Sequence, residues 1–163
     1  MEKVKIIKLP ASKMIKTPEF DMEGESFFKM MRKFWKNVVD RHQDIFPRDF
    51  MPITDAPKNF WLFSIMGIDT GKFNMEGFEI IDFEGGYYAT ATASDPDDGT
   101  NEDFIKTIQE VKEWVNQSGS FELDFTETRL GLSHRTVGDD EELQKALGYV
   151  QVAIFIPIKI KKK

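Results

Sequence analysis

A chain of 163 residues supports one ordinary domain with a real core and is short for two. Apolar residues make up 40% and charged residues 31%, a globular balance, and the net charge of −6 argues against non-specific nucleic-acid binding over the whole surface. The chain has no cysteine, which excludes a disulfide framework and a thiolate metal site. No long apolar run follows the basic residues at the N-terminus, so no signal peptide is expected. No stretch reaches the roughly 20 apolar residues of a transmembrane helix. A cytoplasmic protein with no membrane association is the expectation.

In chain order, Lys3–Lys8 (KVKIIK) and Ala11–Lys16 (ASKMIK) read as short strands separated by Leu9-Pro10. Residues Glu25–Arg41 carry Phe27, Phe28, Met31, Phe34, Trp35, Val38 and Val39 three and four apart, which predicts an amphipathic helix. Its other face bears Lys29, Arg32, Lys33 and Lys36, which reads as a solvated face. His42–Lys58 contains three prolines and reads as loop. Strands follow at Asn59–Ile68 and Glu76–Phe83, then a turn at Glu84-Gly85-Gly86 and a strand at Tyr87–Ala93. Asp95–Gly99 is a loop, with Thr100 and Asp103 as candidate caps for a helix over Glu102–Gln117. That helix sets Phe104, Ile108, Val111 and Val115 on one stripe. Phe121–Leu132 reads as a strand, Asp139–Leu147 as a short helix stopped by Gly148, and Tyr149–Ile160 as the last strand.

The order strand, helix, strand, strand occurs twice. Phe27, Met31, Phe34 and Val38 of the first helix stand opposite Phe104, Ile108, Val111 and Val115 of the second. The expected fold class is therefore α+β: one domain over 1–163, built from two similar halves of about 1–84 and 85–163, both long helices packing by these stripes.

Familiar catalytic signatures are missing. His42 and His134 are the only histidines and stand alone, so no histidine-rich zinc site is expected. Ser133 and His134 are strand neighbours and point to opposite faces. Asp95, Asp97 and Asp98 lack the frame of a calcium loop and read as turn and cap. Gly85-Gly86 is not followed by a helix, which removes a phosphate loop. No cofactor, metal site or catalytic residue is nominated from pattern alone.

The second half has a recognisable sequence of pieces. A Tyr-Ala strand (GGYYATATA) precedes a helix with a late Trp (FIKTIQEVKEWVNQSG), an acidic strand (FELDFTETR) and a closing strand (VQVAIFIPIK). In this it resembles the GyrI-like effector-binding domain, found at the C-terminus of AraC-type and MerR-type regulators and as a free-standing protein. The resemblance implies two strand–helix–strand–strand units related by a pseudo-twofold, forming an antiparallel sheet with helices on one side. It implies a ligand groove where the halves meet, walled by aromatics and holding a buried glutamate. Members of the family bind lipophilic, often cationic, small molecules. Some bind DNA gyrase, and a subset hydrolyses reactive DNA alkylators.

On the last strand Val152, Ile154 and Ile156 share a face suited to the core, whereas Ala153, Phe155 and Pro157 share the other. Pro157 cannot donate to a ladder, so the strand is at an edge or losing its partner there. The terminal lysines, Lys161–Lys163, are expected in solvent. The family often has Glu-x-aromatic-x-Pro here; the aromatic and proline match, but alanine replaces the glutamate. A second acidic position of the family corresponds to Glu127. Its side chain either lies in the groove as the candidate acid or sits on the surface beside Arg129. Trp61, Phe63, Tyr88 and Phe155 are the other candidate ligand-binding residues, and Trp114 reads as packing.

Two function classes follow from the resemblance. One is a free-standing protein that binds lipophilic or cationic compounds, for sequestration or for regulation of a protein partner such as a regulator or gyrase. The other is a hydrolase of the same fold, with Glu127 as the only nominated acid. A purely protein-binding module is a third. The chain starts directly in a strand with no helix-turn-helix before it, so direct nucleic-acid contact is not expected.

Overall fold

The computed structural model describes residues 3–21, 49–54, 58–64, 77–96, 100–135 and 141–162. The fold is α+β, with a mostly antiparallel sheet. The chain divides into two compact units: Met1–Ala11 with Glu84–Lys163, and Ser12–Phe83. No helix among the described residues is long and apolar enough to cross a membrane.

The first unit holds β1 (Lys5–Leu9), β8 (Gly86–Asp95), α1 (Glu102–Gln117), β9 (Phe121–Leu123), β10 (Leu132–Arg135), α2 (Glu141–Leu147) and β11 (Val150–Ile160). Its strands run in the order β1-β8-β11-β10, with β9 paired to the C-terminal end of β11. β8 alternates small and large residues, and the alternation decides its packing. Ala89, Ala91 and Ala93 occupy one face, paired with Ile156, Ile154 and Val152 of β11. Their lack of bulk lets a helix approach closely. α1 packs there, burying Thr107, Ile108, Val111 and Val115. The bounds of α1 and its Ile108–Val111–Val115 stripe are those expected from its periodicity; Phe104 is only half-buried.

The cap of α1 comes from the acidic cluster that reads as turn and cap, through its first member. The residue before the helix, Asn101, does not cap it by a side chain. Asp95, the buried last residue of β8, does so instead. Its carboxylate accepts from the backbone N–H of Asp103 (2.9 Å) and Phe104 (2.9 Å). Asp103 reciprocates by accepting from Ser94 N–H at 2.7 Å. Two orphan amides of the first turn are thus satisfied, with negative charge at the positive end of the helix dipole.

β11 is the central strand of this unit. Ile154, Ile156 and Ile158 are buried on the helix side, and Phe155 and Pro157 are buried on the other. Lys161 and Lys162 are exposed. Pro157 falls where the strand changes partner. β10 ends its pairing at Leu132↔Phe155, and β9 begins at Ile158↔Leu123. Asp124 N–H still donates to Pro157 O at 2.9 Å, but proline returns no bond. The ladder stops, and this corrects the expectation of one strand over Phe121–Leu132. The segment is two short strands, β9 and β10, separated by a turn.

The second unit holds β2 (Ser12–Lys16), β3 (Phe20–Asp21), β4 (Asp49–Pro52), β5 (Lys58–Asn59), β6 (Leu62–Ser64) and β7 (Glu79–Phe83). Its main ladder runs β4-β6-β2-β7, and β3 pairs with β5. Ile15, Phe63, Met14, Leu62, Phe50 and Phe83 are buried, with Phe50 and Phe83 stacked at 6.2 Å. β4 corrects the loop reading of His42–Lys58: Asp49 and Phe50 pair with Phe63 and Leu62. The prolines that suggested a loop leave room for four residues of strand, and Pro52 stands at its last position. The helix expected over Glu25–Arg41 lies outside the described residues.

Gly85 joins β7 to β8 with φ of +70°. A Cβ there would collide with the backbone of Leu9–Ala11, including Ala11 N at 2.8 Å. Gly85→Ala therefore combines a left-handed conformation with a backbone clash. It should lower unfolding free energy by more than about 2 kcal/mol, and Ile154→Ala by about 2–5 kcal/mol. Urea unfolding is the measurement, and a parent-like midpoint in either variant would show the core of the first unit to be misassigned.

Candidate functional site

Tyr88 and Phe155 lie on the same face of the first unit, opposite α1. Tyr88 pairs with Pro157, and Phe155 with Thr90, so the two aromatic residues are diagonal neighbours across one ladder. Both are buried, with 1% and 3% of their surface exposed. Trp61 and Phe63 belong to the second unit. Phe63 is a core residue of β6. Trp61 is half-buried, its ring 5.4 Å from that of Phe20 and its backbone held by Thr17, which accepts from Trp61 N–H through Oγ1 (2.9 Å) and donates its own N–H to Trp61 O (3.0 Å).

Glu127 is exposed, the surface alternative of its two sequence readings, but it does not pair with Arg129 as that alternative supposed. It stands in a tight turn, where Thr126 and Arg129 exchange backbone hydrogen bonds at 3.1 and 3.3 Å. Thr126 Oγ1 also accepts from the N–H of Thr128 (3.3 Å) and Arg129 (3.0 Å), offering the backbone a local alternative to the sheet. Thr128 Oγ1 then ties the turn to Glu84 at 2.9 Å.

The charged group that this turn does bury is Arg129, 6% exposed. The β8–β11 ladder ends at Tyr88↔Pro157. Just beyond that end, Arg129 Nη2 donates to Tyr87 O at 2.6 Å and Nη1 donates to Ile158 O at 3.1 Å. One guanidinium thus bridges the two diverging strands. Asp124 neutralises it through Nη1, and the guanidinium carbon lies 4.9 Å from the centroid of the Tyr88 ring. Gly86 makes room, since a Cβ there would come within 3.0 Å of Nη2. Sequence reading treated Arg129 only as a partner for Glu127. Within the strand expected over Phe121–Leu132, the spacing of Asp124 to Arg129 carries no signal that the arginine turns inward.

This environment moves Tyr88. Burial disfavours the phenolate and raises the pKa above its ordinary 10.0, and the neighbouring Arg129 cation offsets part of the rise. Elsewhere in the first unit, Trp114 stacks on Phe121 at 6.3 Å, as packing was expected to place it. A shallow cleft of about 390 Å³ lies there, and another of about 340 Å³ lies beside Asp95 and Lys106; neither is lined by any of the five nominated residues.

Two measurements follow. Arg129→Met leaves two strand carbonyls and Asp124 without their donor and should cost about 3 kcal/mol in urea unfolding. Arg129→Lys should recover only part, because an ammonium cannot span the fork. A parent-like Arg129→Met would sink the bridge. With the folded Tyr88 pKa raised, its contribution to stability is fully present below pH about 10 and is lost as pH rises through the higher folded value. The parent should therefore lose stability above pH 10 more steeply than Tyr88→Phe; equal slopes would contradict the burial of the phenol.

No protein-family model and no curated protein matches the sequence. Solved structures do match in fold. The structure of SAV2435 bound to tetraphenylphosphonium is similar at a TM-score of 0.52 and 11% identity, over 98% of this chain and 94% of that one. A hydrolase from Listeria innocua is similar at 0.62 and 13%, over 96% and 92%. The C-terminal domain of EcmrR is similar at 0.53 and 10%, over 96% and 96%. At such identities the likeness is one of fold, and it is consistent with the fold that the GyrI-like resemblance implies.

Proposed function

We propose that the chain binds lipophilic small molecules through the aromatic residues of the effector-binding fold, either to sequester them or to control a partner protein. One observation carries this reading: a neighbour of the same fold, alike over 98% of this chain, was solved with the lipophilic cation tetraphenylphosphonium. Tyr88 and Phe155, adjacent on one sheet face, are the residues proposed to meet the ligand in the first unit, and Trp61 and Phe63 those in the second.

Charge selectivity should be weak. Ala153 has no acid to offer, Glu127 is exposed, and Asp124 is already engaged by Arg129. An exposed carboxylate contributes about 0–1 kcal/mol to holding a cation, less than roughly fivefold in affinity. A second reading, hydrolysis, is supported by the likeness to the Listeria innocua hydrolase. It too would draw on Glu127.

The test is a tryptophan-fluorescence titration with tetraphenylphosphonium and with neutral triphenylphosphine oxide. Both should bind with dissociation constants within about tenfold of one another, because none of the nominated residues offers the cation a buried carboxylate. Phe155→Ala should weaken both, and Glu127→Gln should change neither by more than about fivefold. Absence of saturable quenching would end the binding reading. Turnover of a candidate substrate that is lost in Glu127→Gln would replace it with the hydrolase.

A further inference from the structure

β1 and β7 are edge strands. Among the described residues β1 pairs only with β8, and β7 only with β2, so each has one backbone edge that no described strand covers. Their sequences are complementary. β1 reads Lys5-Ile6-Ile7-Lys8 and β7 reads Glu79-Ile80-Ile81-Asp82. All four charged residues are exposed, Ile80 is 50% exposed, and Ile6, Ile7 and Ile81 are half-buried. Lys8 lies over the Tyr87 ring and Asp82 pairs with Lys13, side-chain contacts that do not use the outer backbone of either strand.

We infer that these edges join copies of the chain, β1 of one molecule pairing with β7 of the next. In antiparallel register Lys5 stands opposite Asp82, Ile6 opposite Ile81, Ile7 opposite Ile80, and Lys8 opposite Glu79. Each charge meets its opposite, and each isoleucine meets an isoleucine on the same face. The same charges forbid the alternatives. Two β1 edges would oppose lysine to lysine, and two β7 edges would oppose Glu79 to Asp82. Edge charges of one sign ordinarily block edge pairing altogether; here opposite signs on two different edges leave the unlike pairing open. The contact is head-to-tail, so it can be extended by further copies. It is small, which makes it a weak and concentration-dependent association.

Sedimentation velocity of the parent up to about 1 mM, the range in which small interfaces associate, is the first measurement. The average mass should rise with concentration and fall again with added salt, which screens exposed charges. Lys5→Glu with Lys8→Glu makes both edges acidic, and Glu79→Lys with Asp82→Lys makes both basic. Each double variant alone should remain monomeric. An equimolar mixture should associate, because each acidic edge then meets a basic one. Thermal melting checks that the variants are folded. If either is not, amide exchange of the parent reports instead: outward amides of residues 5–8 and 79–82 should gain protection on concentration. A parent that is monomeric throughout, association unaffected by both reversals, or edge amides whose protection is independent of concentration would overturn the inference.

Discussion

Where two strands of a sheet diverge, their carbonyls lose the amides that satisfied them, and burial makes that loss costly. In the first unit the cost is met by Arg129, which gives one hydrogen bond to Tyr87 O on β8 and another to Ile158 O on β11. A neutral donor could serve one strand; a planar guanidinium serves both and still reaches Asp124. The turn at Thr126–Arg129, the glycine at position 86 and the placement of Tyr88 against a cation all follow from housing this one group. Not all of it is satisfied, since Arg129 Nε is buried with no partner among the described residues, as expected when geometry is set by two fixed strands.

β11 connects this bridge to the rest of the unit. Its helix-side isoleucines meet the alanines of β8 and receive α1, while its other side presents Phe155 and Pro157 beside Tyr88. Pro157 ends the β9 ladder for want of an N–H, and the chain released there is the chain that returns with Arg129. One residue that cannot donate a hydrogen bond thus leads, through a turn, to the residue that supplies two strand carbonyls.

This arrangement alters what the aromatic face can do. A buried glutamate beside aromatics would make it a cation site. Here the group buried against Tyr88 is a cation already neutralised by Asp124, and the nominated acid is in solvent. On the proposed reading, apolar area is then the main attraction left to a ligand, which favours breadth over charge discrimination.

The features legible in the sequence are those governed by local periodicity. The limits of α1, the two faces of β11 and the loss of pairing at Pro157 all follow from where consecutive side chains and amides must point. What only the tertiary structure decided depends on partners distant along the chain. Asp49 and Phe50 become strand because Phe63 and Leu62 lie beside them; Arg129 turns inward because Tyr87 and Ile158 leave carbonyls at a fork. A buried polar group is placed by whichever partner completes its hydrogen bonds, and that partner can be anywhere in the chain.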